Sequence, residues 1–217
     1  MPYTGDVTRG GPADVRETAA LRLTKVSVGP MDNNAYLLEC RATGERCLVD
    51  AADDAATLLA LLGDGRLEQV VTTHRHPDHW RALAEVVEAT GARTSAGQAD
   101  TEAIPVPTGV PLADGDRIQV GQVTLEVISL VGHTPGSVAL LHEDAEGHPH
   151  LFTGDSLFPG GVGKTSGPDT FATLVDDVEH KLFDRLPDDT WFYPGHGRDS
   201  TLGAERPALP EWRARGW

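Results

Sequence analysis

Hydrophobic and polar positions along this chain change period repeatedly, the pattern of short strands interleaved with helices. Leu21–Val28, Tyr36–Glu39 and Cys47–Asp50 read as three successive strands. Asp53 or Asp54 then caps a helix that carries Leu58, Leu59, Leu61 and Leu62 and ends at Gly63. Val70–Thr73 is a short buried strand, and a second helix follows with Leu83, Val86 and Val87 turned inward and Gly91 as its stop. The middle of the chain turns to period two. Ile118 and Val120 precede Gly121-Gln122, and Val123, Leu125 and Val127 follow it, which predicts a hairpin. Val138 with Leu140, Leu151 with Phe152, and Trp191–Tyr193 give three further strands. Before the last of these, Phe171, Leu174, Val175, Val178 and Leu182 fall at helical spacing, with Lys181 and Arg185 placed to favour the C-terminal end of the helix dipole. No linker or low-complexity segment interrupts the pattern. One α/β domain is predicted over residues 21–217, after a polar arm over residues 1–20, and the tail TLGAERPALPEWRARGW is too short for a further domain.

At 217 residues, 39% hydrophobic and 24% charged, the chain is long enough to bury a sizeable core. Its net charge of −15 excludes nucleic acid as the main partner, because no basic stripe is present to neutralise phosphates. No stretch approaches the roughly 18 apolar residues of a membrane span. The opening residues lack the basic-then-apolar pattern of a secretory signal, so a cytoplasmic location is expected. Cys40 and Cys47 flank a turn and are expected to be free thiols in that compartment.

The densest chemistry lies in THRHPDHW, which puts His74, His76, Asp78 and His79 within six positions. On an extended segment, residues two apart point the same way, so His74 and His76 can present imidazoles to one metal. Asp78 and His79 lie where the chain turns into the next helix and can face a second metal close by. Three isolated residues repeat one arrangement: His133, Asp155 and His196 each follow a glycine in a turn after a strand-like run. A lone loop histidine is usually solvated, but the recurrence argues for a shared site at the strand ends. Imidazole and carboxylate ligands suit zinc. His142, His148 and His150 border the polar loop EDAEGHP and are expected to form a solvated hairpin end, and His180 is expected on the outer face of its helix.

THRHPDH resembles the His-x-His-x-Asp-His signature of the metallo-β-lactamase superfamily, and GHTPGS, FTGDSLF and PGHG are similar to its later motifs in the same order. The resemblance implies a four-layer αβ/βα sandwich with two divalent ions, zinc first and iron or manganese as alternatives. It places His74, His76 and His133 on one ion, Asp78, His79 and His196 on the other, and Asp155 across both. Asp78 is further expected to hold the nucleophile's proton, and attack by a metal-bridging hydroxide would be the reaction. Asp50 resembles the superfamily's early aspartate, which orients a ligand histidine; a turn or capping role is the competing reading.

GDSLFPGGVGK and MDNNAYLLE resemble the glyoxalase II branch, whose members hydrolyse hydroxyacyl-thiol thioesters, and Lys164 falls where that branch contacts the carrier's carboxylate; an exposed loop lysine is the competing reading. Two departures stand out. Trp80, Arg81 and Ala82 replace the usual small residues after His79, and the short tail after His196 resembles that of the compact members, where the longer glyoxalase II enzymes carry an additional helical domain. Trp80 either lines the pocket or packs the helix start. The expected partner is a small acyl-thiol, with glutathione or another low-molecular-weight thiol such as mycothiol as carrier, and the protein is a monomer or a homodimer. Two other chemistries remain open on these residues. One is persulfide dioxygenation at a single iron held by His79, His133 and Asp155; the other is lactone hydrolysis.

Overall fold

The computed structural model describes residues 3–145 and 147–216. A seven-stranded sheet runs in chain order: β1 (Asp14–Glu17), β2 (Leu21–Val28), β3 (Asn33–Cys40), β4 (Arg46–Val49), β5 (Gln69–Thr72), β6 (Arg93–Gly97) and β7 (Val110–Leu112). The second sheet contains β8 (Arg117–Val120), β9 (Val123–Ser129), β10 (Val138–His142), β11 (His150–Gly154), β14 (Trp191–Pro194) and β15 (Ser200–Thr201), in the order β15-β14-β11-β10-β9-β8. A small hairpin, β12 (Leu157–Phe158) and β13 (Gly161–Val162), stands apart from both. Helices α1 (Ala55–Leu62) and α2 (Leu83–Thr90) belong to the first half. α3 (Pro168–Val178), α4 (Leu202–Glu205) and α5 (Leu209–Arg215) belong to the second.

Strand alternation sorts the apolar side chains into layers. On β3, Tyr36 and Leu38 join a core shared with Leu125, Val127, Leu140 and Phe152 of the second sheet. Their neighbours Ala35 and Leu37 turn to the other face and pack with Leu58, Leu62, Leu83 and Val86 of α1 and α2. On the far side, Ile128, Ala139, Leu141 and Phe192 pack against Leu174, Val178 and Leu182. The order is therefore helix, sheet, sheet, helix, as expected of the four-layer sandwich, because each sheet buries both faces.

The short helices follow their sequence signals. Asp54 caps α1 by accepting the Thr57 amide at 3.2 Å, and α1 and α2 stop at Gly63 and Gly91. Val120 pairs with Val123 across the two-residue turn. Cys40 and Cys47 are both buried and free. Among the described residues no helix is long and apolar enough to cross a membrane.

Several expectations are corrected. Within the polar arm, Asp14–Glu17 forms a strand that pairs antiparallel with β2. α3 ends at Val178 and passes into a π-helical turn over Glu179–Phe183. Lys181, in the last turn of that segment, and Arg185 beyond it also reach across to the sheet, to Ser129 O at 2.8 Å and to both Glu126 oxygens at 2.6 Å. The tail, where the sequence marked no element, folds into α4 and α5 and buries Trp212. The expected solvated hairpin end is also wrong for two histidines. His142 and His150 face each other across β10 and β11 and are 6% and 1% exposed. His150 is covered by Tyr193, whose hydroxyl lies 2.6 Å from its Nδ1 and accepts from Arg16 of the arm at 2.9 Å, with Arg16 also 3.8 Å from the Trp191 ring. That cover comes from remote segments, which loop polarity does not reveal. His180 is exposed, as its helical position indicates.

Candidate metal centre

The seven residues singled out in the sequence converge at one end of the two sheets, where β4, β5, β11 and β14 finish. Backbone bonds stitch the ends together: Val138 N to Thr73 O at 2.9 Å, Gly195 N to Gly154 O at 2.9 Å and Asn34 N to Gly195 O at 2.7 Å. His74, His76 and His133 form one group of potential ligand atoms and Asp78, His79 and His196 another, each within 4.8 Å. His133 Nε2 lies 3.3 Å from His74 Nε2 and 2.9 Å from His76 Nδ1. In the other group, His196 Nε2 lies 3.3 Å and His79 Nε2 3.7 Å from Asp78 Oδ2. Asp155 sits between the groups, 3.4 Å from His79, 3.5 Å from His196 and 3.7 Å from His133.

Four of the five rings are held from behind. His79 Nδ1 is 2.8 Å from Asp50 Oδ2, His196 Nδ1 is 2.9 Å from Met31 O, and His133 Nδ1 is 2.7 Å from Lys164 O. His74 Nδ1 meets the Thr73 hydroxyl, which in turn donates to Asp50 at 2.8 Å. Fixing one ring nitrogen as a donor leaves the other facing the cluster with its lone pair. Asp50 is buried, holds the left-handed conformation at φ 59°, and also accepts the Thr73 amide at 2.7 Å. It is therefore placed to orient two of the histidines.

Electrostatics divides the cluster. Burial, then neighbouring His79, pulls His74 well below the usual imidazole range, and burial with His133 lowers His76. Burial opposes the charging of His79, but Asp50 and Asp155 outweigh it and raise its pKa to about 10. Burial likewise acts against the Asp155 carboxylate, yet His196 and His79 hold it well below the usual carboxylate range. Asp78 is lowered too: the Asn33 amide, donating at 3.0 Å, and the adjacent His79 overcome its burial.

The donor set fits divalent cations. His79 Nε2 and Asp155 Oδ1 are buried and have no hydrogen-bond partner among the described residues. Buried polar atoms are rarely left so, and here both face the space shared by the other donors. These side chains ligate as neutral imidazoles beside ionised carboxylates, the form that burial favours at His74 and His76, and a bound cation would displace the proton that Asp50 and Asp155 hold on His79. Gly195 permits the approach of the two sheets, since a Cβ there would lie 2.2 Å from Asp155 Oδ1 and 2.6 Å from His79 Cε1.

Sequence reasoning missed the residues that hold the loops. Asp100 is fully buried and accepts from Arg75 N at 2.9 Å, Thr134 Oγ1 at 2.5 Å and Gly136 N at 2.9 Å, joining the His74–His76 loop to the His133 loop. Asn33 grips Asp78, and Asn34 donates to Pro194 O and Gly197 O, both at 2.9 Å. An acid in AGQAD carries no local mark of this task. Trp80 resolves as a packing residue: its indole donates to Arg75 O at 2.8 Å and its ring lies against the helix-side core.

Residues 28–196 match the family described as the Metallo-beta-lactamase superfamily, and the chain belongs to that superfamily. Membership implies a divalent-metal site. A hydroxyacylglutathione hydrolase of Fuscovulum blasticum is 41% identical over 134 residues, which are 61% of this chain and 51% of that protein. The chain thus spans about half the length of that relative. Among solved structures, TTHA1623 in a di-iron-bound form is 34% identical, with a TM-score of 0.68 over 84% of this chain and 96% of the other. ETHE1 from Myxococcus xanthus is 27% identical, with a TM-score of 0.76 over 88% and 84%.

Proposed function

We propose that this protein is a metal-dependent hydrolase of hydroxyacyl thioesters that works with two divalent ions. The observation that carries the reading is the pair of adjoining donor groups with Asp155 between them. One ion would be held by His74, His76 and His133, the other by Asp78, His79 and His196, with Asp155 reaching both. Zinc suits these ligands, and the di-iron form of TTHA1623 makes iron the second choice. Ions so held would lower the pKa of a bound water to about 7 and would polarise a substrate carbonyl.

The chain's own residues supply the rest. Asp78 is ionised and fixed by Asn33, so its free carboxylate edge can accept a hydrogen bond from the attacking water and orient it. A cavity of about 370 Å³ is lined by Val162, Gly163, Lys164, Thr165, Phe171 and Arg215. It adjoins the cluster, because the Lys164 carbonyl holds His133 and the Gly163 backbone abuts Asp155. In a protein of net charge −15, two cations beside Phe171 suit a thiol carrier with a carboxylate and a short apolar segment. Arg215 comes from α5, so the tail contributes to this cavity. Two unpaired cysteines support a cytoplasmic location.

The test is metal content by plasma mass spectrometry on protein purified without chelator, paired with thiol release from a panel of hydroxyacyl thioesters. About two ions per chain and thiol release are expected. A single iron with oxygen consumption on a persulfide would replace the reading with the oxygenase. Lactone cleavage without any thioester cleavage would replace it with the lactonase.

A further inference from the structure

Lys25 of β2 is wholly buried, an unusual place for an ammonium. Its Nζ donates to Asp199 Oδ1 at 2.6 Å, Gly197 O at 2.8 Å and Gly5 O at 2.7 Å. The second oxygen of Asp199, itself with no exposed side-chain area, accepts the Tyr3 hydroxyl at 2.5 Å. Three remote segments therefore meet at one ion pair: the arm, β2 and the loop after β14. Removing two charges from water costs several kcal/mol per ion, and such pairs are weak sources of stability. Burial pulls Lys25 below the usual ammonium range and pushes Asp199 above the usual carboxylate range, against their mutual attraction. What the pair does supply is position.

Gly197 directly follows His196. Two carbonyls of this loop are held by side chains, Pro194 O by Asn34 and by the Tyr36 hydroxyl at 2.6 Å, and Gly197 O by Asn34 and Lys25, while Gly195 O takes the Asn34 backbone amide. The arm closes over the pair. Gly5 has φ +71°, and a Cβ there would fall 2.4 Å from Asp199 Oδ2. Asp14 Oδ2 accepts the Thr4 and Gly5 amides at 2.8 and 2.9 Å, and Arg198 meets Asp6 at 2.9 Å.

We propose that Lys25 and Asp199, sealed by Tyr3 and Gly5 of the N-terminal arm, position the Pro194–Gly197 loop so that His196 meets Asp78 and His79, and thereby set the metal affinity of that one position. This rests on the reading of those three residues as metal ligands. Lys25 is a positioning residue: it touches the loop backbone and no reacting atom. The arm is then a working part of the metal centre, although its residues lie far from the ligands in sequence.

The experiment is stepwise zinc binding to the full chain, against a chromophoric chelator, for the wild type, Lys25→Met and Gly5→Ala. Gly5→Ala acts from the arm, by pressing on Asp199 Oδ2 while leaving the Lys25 side chain in place, and guards against a misfolded Lys25→Met. Thermal unfolding of the metal-free proteins is measured alongside. Wild type takes two ions. Both variants keep one at unchanged affinity, and the second is weakened about 10- to 100-fold, the range for loss of a residue behind a ligand. Two unchanged affinities in variants that unfold at lower temperature overturn the proposal and leave a structural role. A wild type that takes a single ion overturns both this proposal and the two-ion reading.

Discussion

Asp100→Asn isolates the effect of one buried charge on the first ligand group. The substitution keeps shape and removes acceptor capacity. Asp100 Oδ2 takes the Arg75 amide and the Thr134 hydroxyl, and Oδ1 takes the Gly136 amide. The new amide will turn its oxygen to the side with two donors. Its NH₂ then faces the Gly136 N–H, and a buried donor is left without an acceptor. Hydrogen bonds to charged groups contribute about 1.5–3 kcal/mol, and an orphaned buried donor costs about 1–3 kcal/mol. These overlap, so the expected loss is about 2–4 kcal/mol. For a chain of this size each kcal/mol moves Tm by about 2–4 °C, giving a fall of about 4–16 °C. The assay is calorimetry in chelator and again at saturating zinc, because bound metal adds its own stabilisation. Affinity at the His74, His76 and His133 position should drop about 10- to 100-fold, with the other position unchanged. A loss below about 0.5 kcal/mol, the size of an ordinary surface change, would refute the account of Asp100.

Three further outcomes are expected. Gly195→Ala should fold but lose metal, since its Cβ would enter the contact between Asp155 and His79; full metal content in the variant would contradict this. Arg215→Ala should raise KM about tenfold for thioesters of carboxylate-bearing thiols, with kcat and KM for uncharged carriers unchanged, and an equal effect on both carriers would remove Arg215 from recognition. The third concerns pH. Burial, with His148 and Arg16 nearby, depresses the His150 pKa to about 3. Between that value and the unfolded pKa of about 6.5 the unfolded chain binds the extra proton, so stability is lost as pH falls through this window, by up to about 1.4 kcal/mol per unit. Denaturant titrations of metal-free His150→Gln should show a shallower slope below pH 6 than wild type, and equal slopes would sink the assignment.

The sequence by itself determined the alternation of strands and helices, the two-residue hairpin turn, and the places where the chemistry is carried. The ligand candidates were legible because each sits at the end of an apolar run, where a strand must release the chain into a turn. The strand read at Tyr36–Glu39 then sends Leu37 and Leu38 to opposite cores, a consequence of its period of two. Only the tertiary structure decided what stands behind those ligands. Asp100, Asn33, Asn34 and Lys25 act by accepting or donating across separations of 20 to 174 residues, and nothing in their neighbours marks the distant partner. The histidines of β10 and β11 were misjudged for the same reason, since loop polarity was visible while Arg16 and Trp191 above it were not. Polar pattern reports a residue's immediate surroundings, but whether a polar group is solvated or buried depends on which remote backbone closes over it.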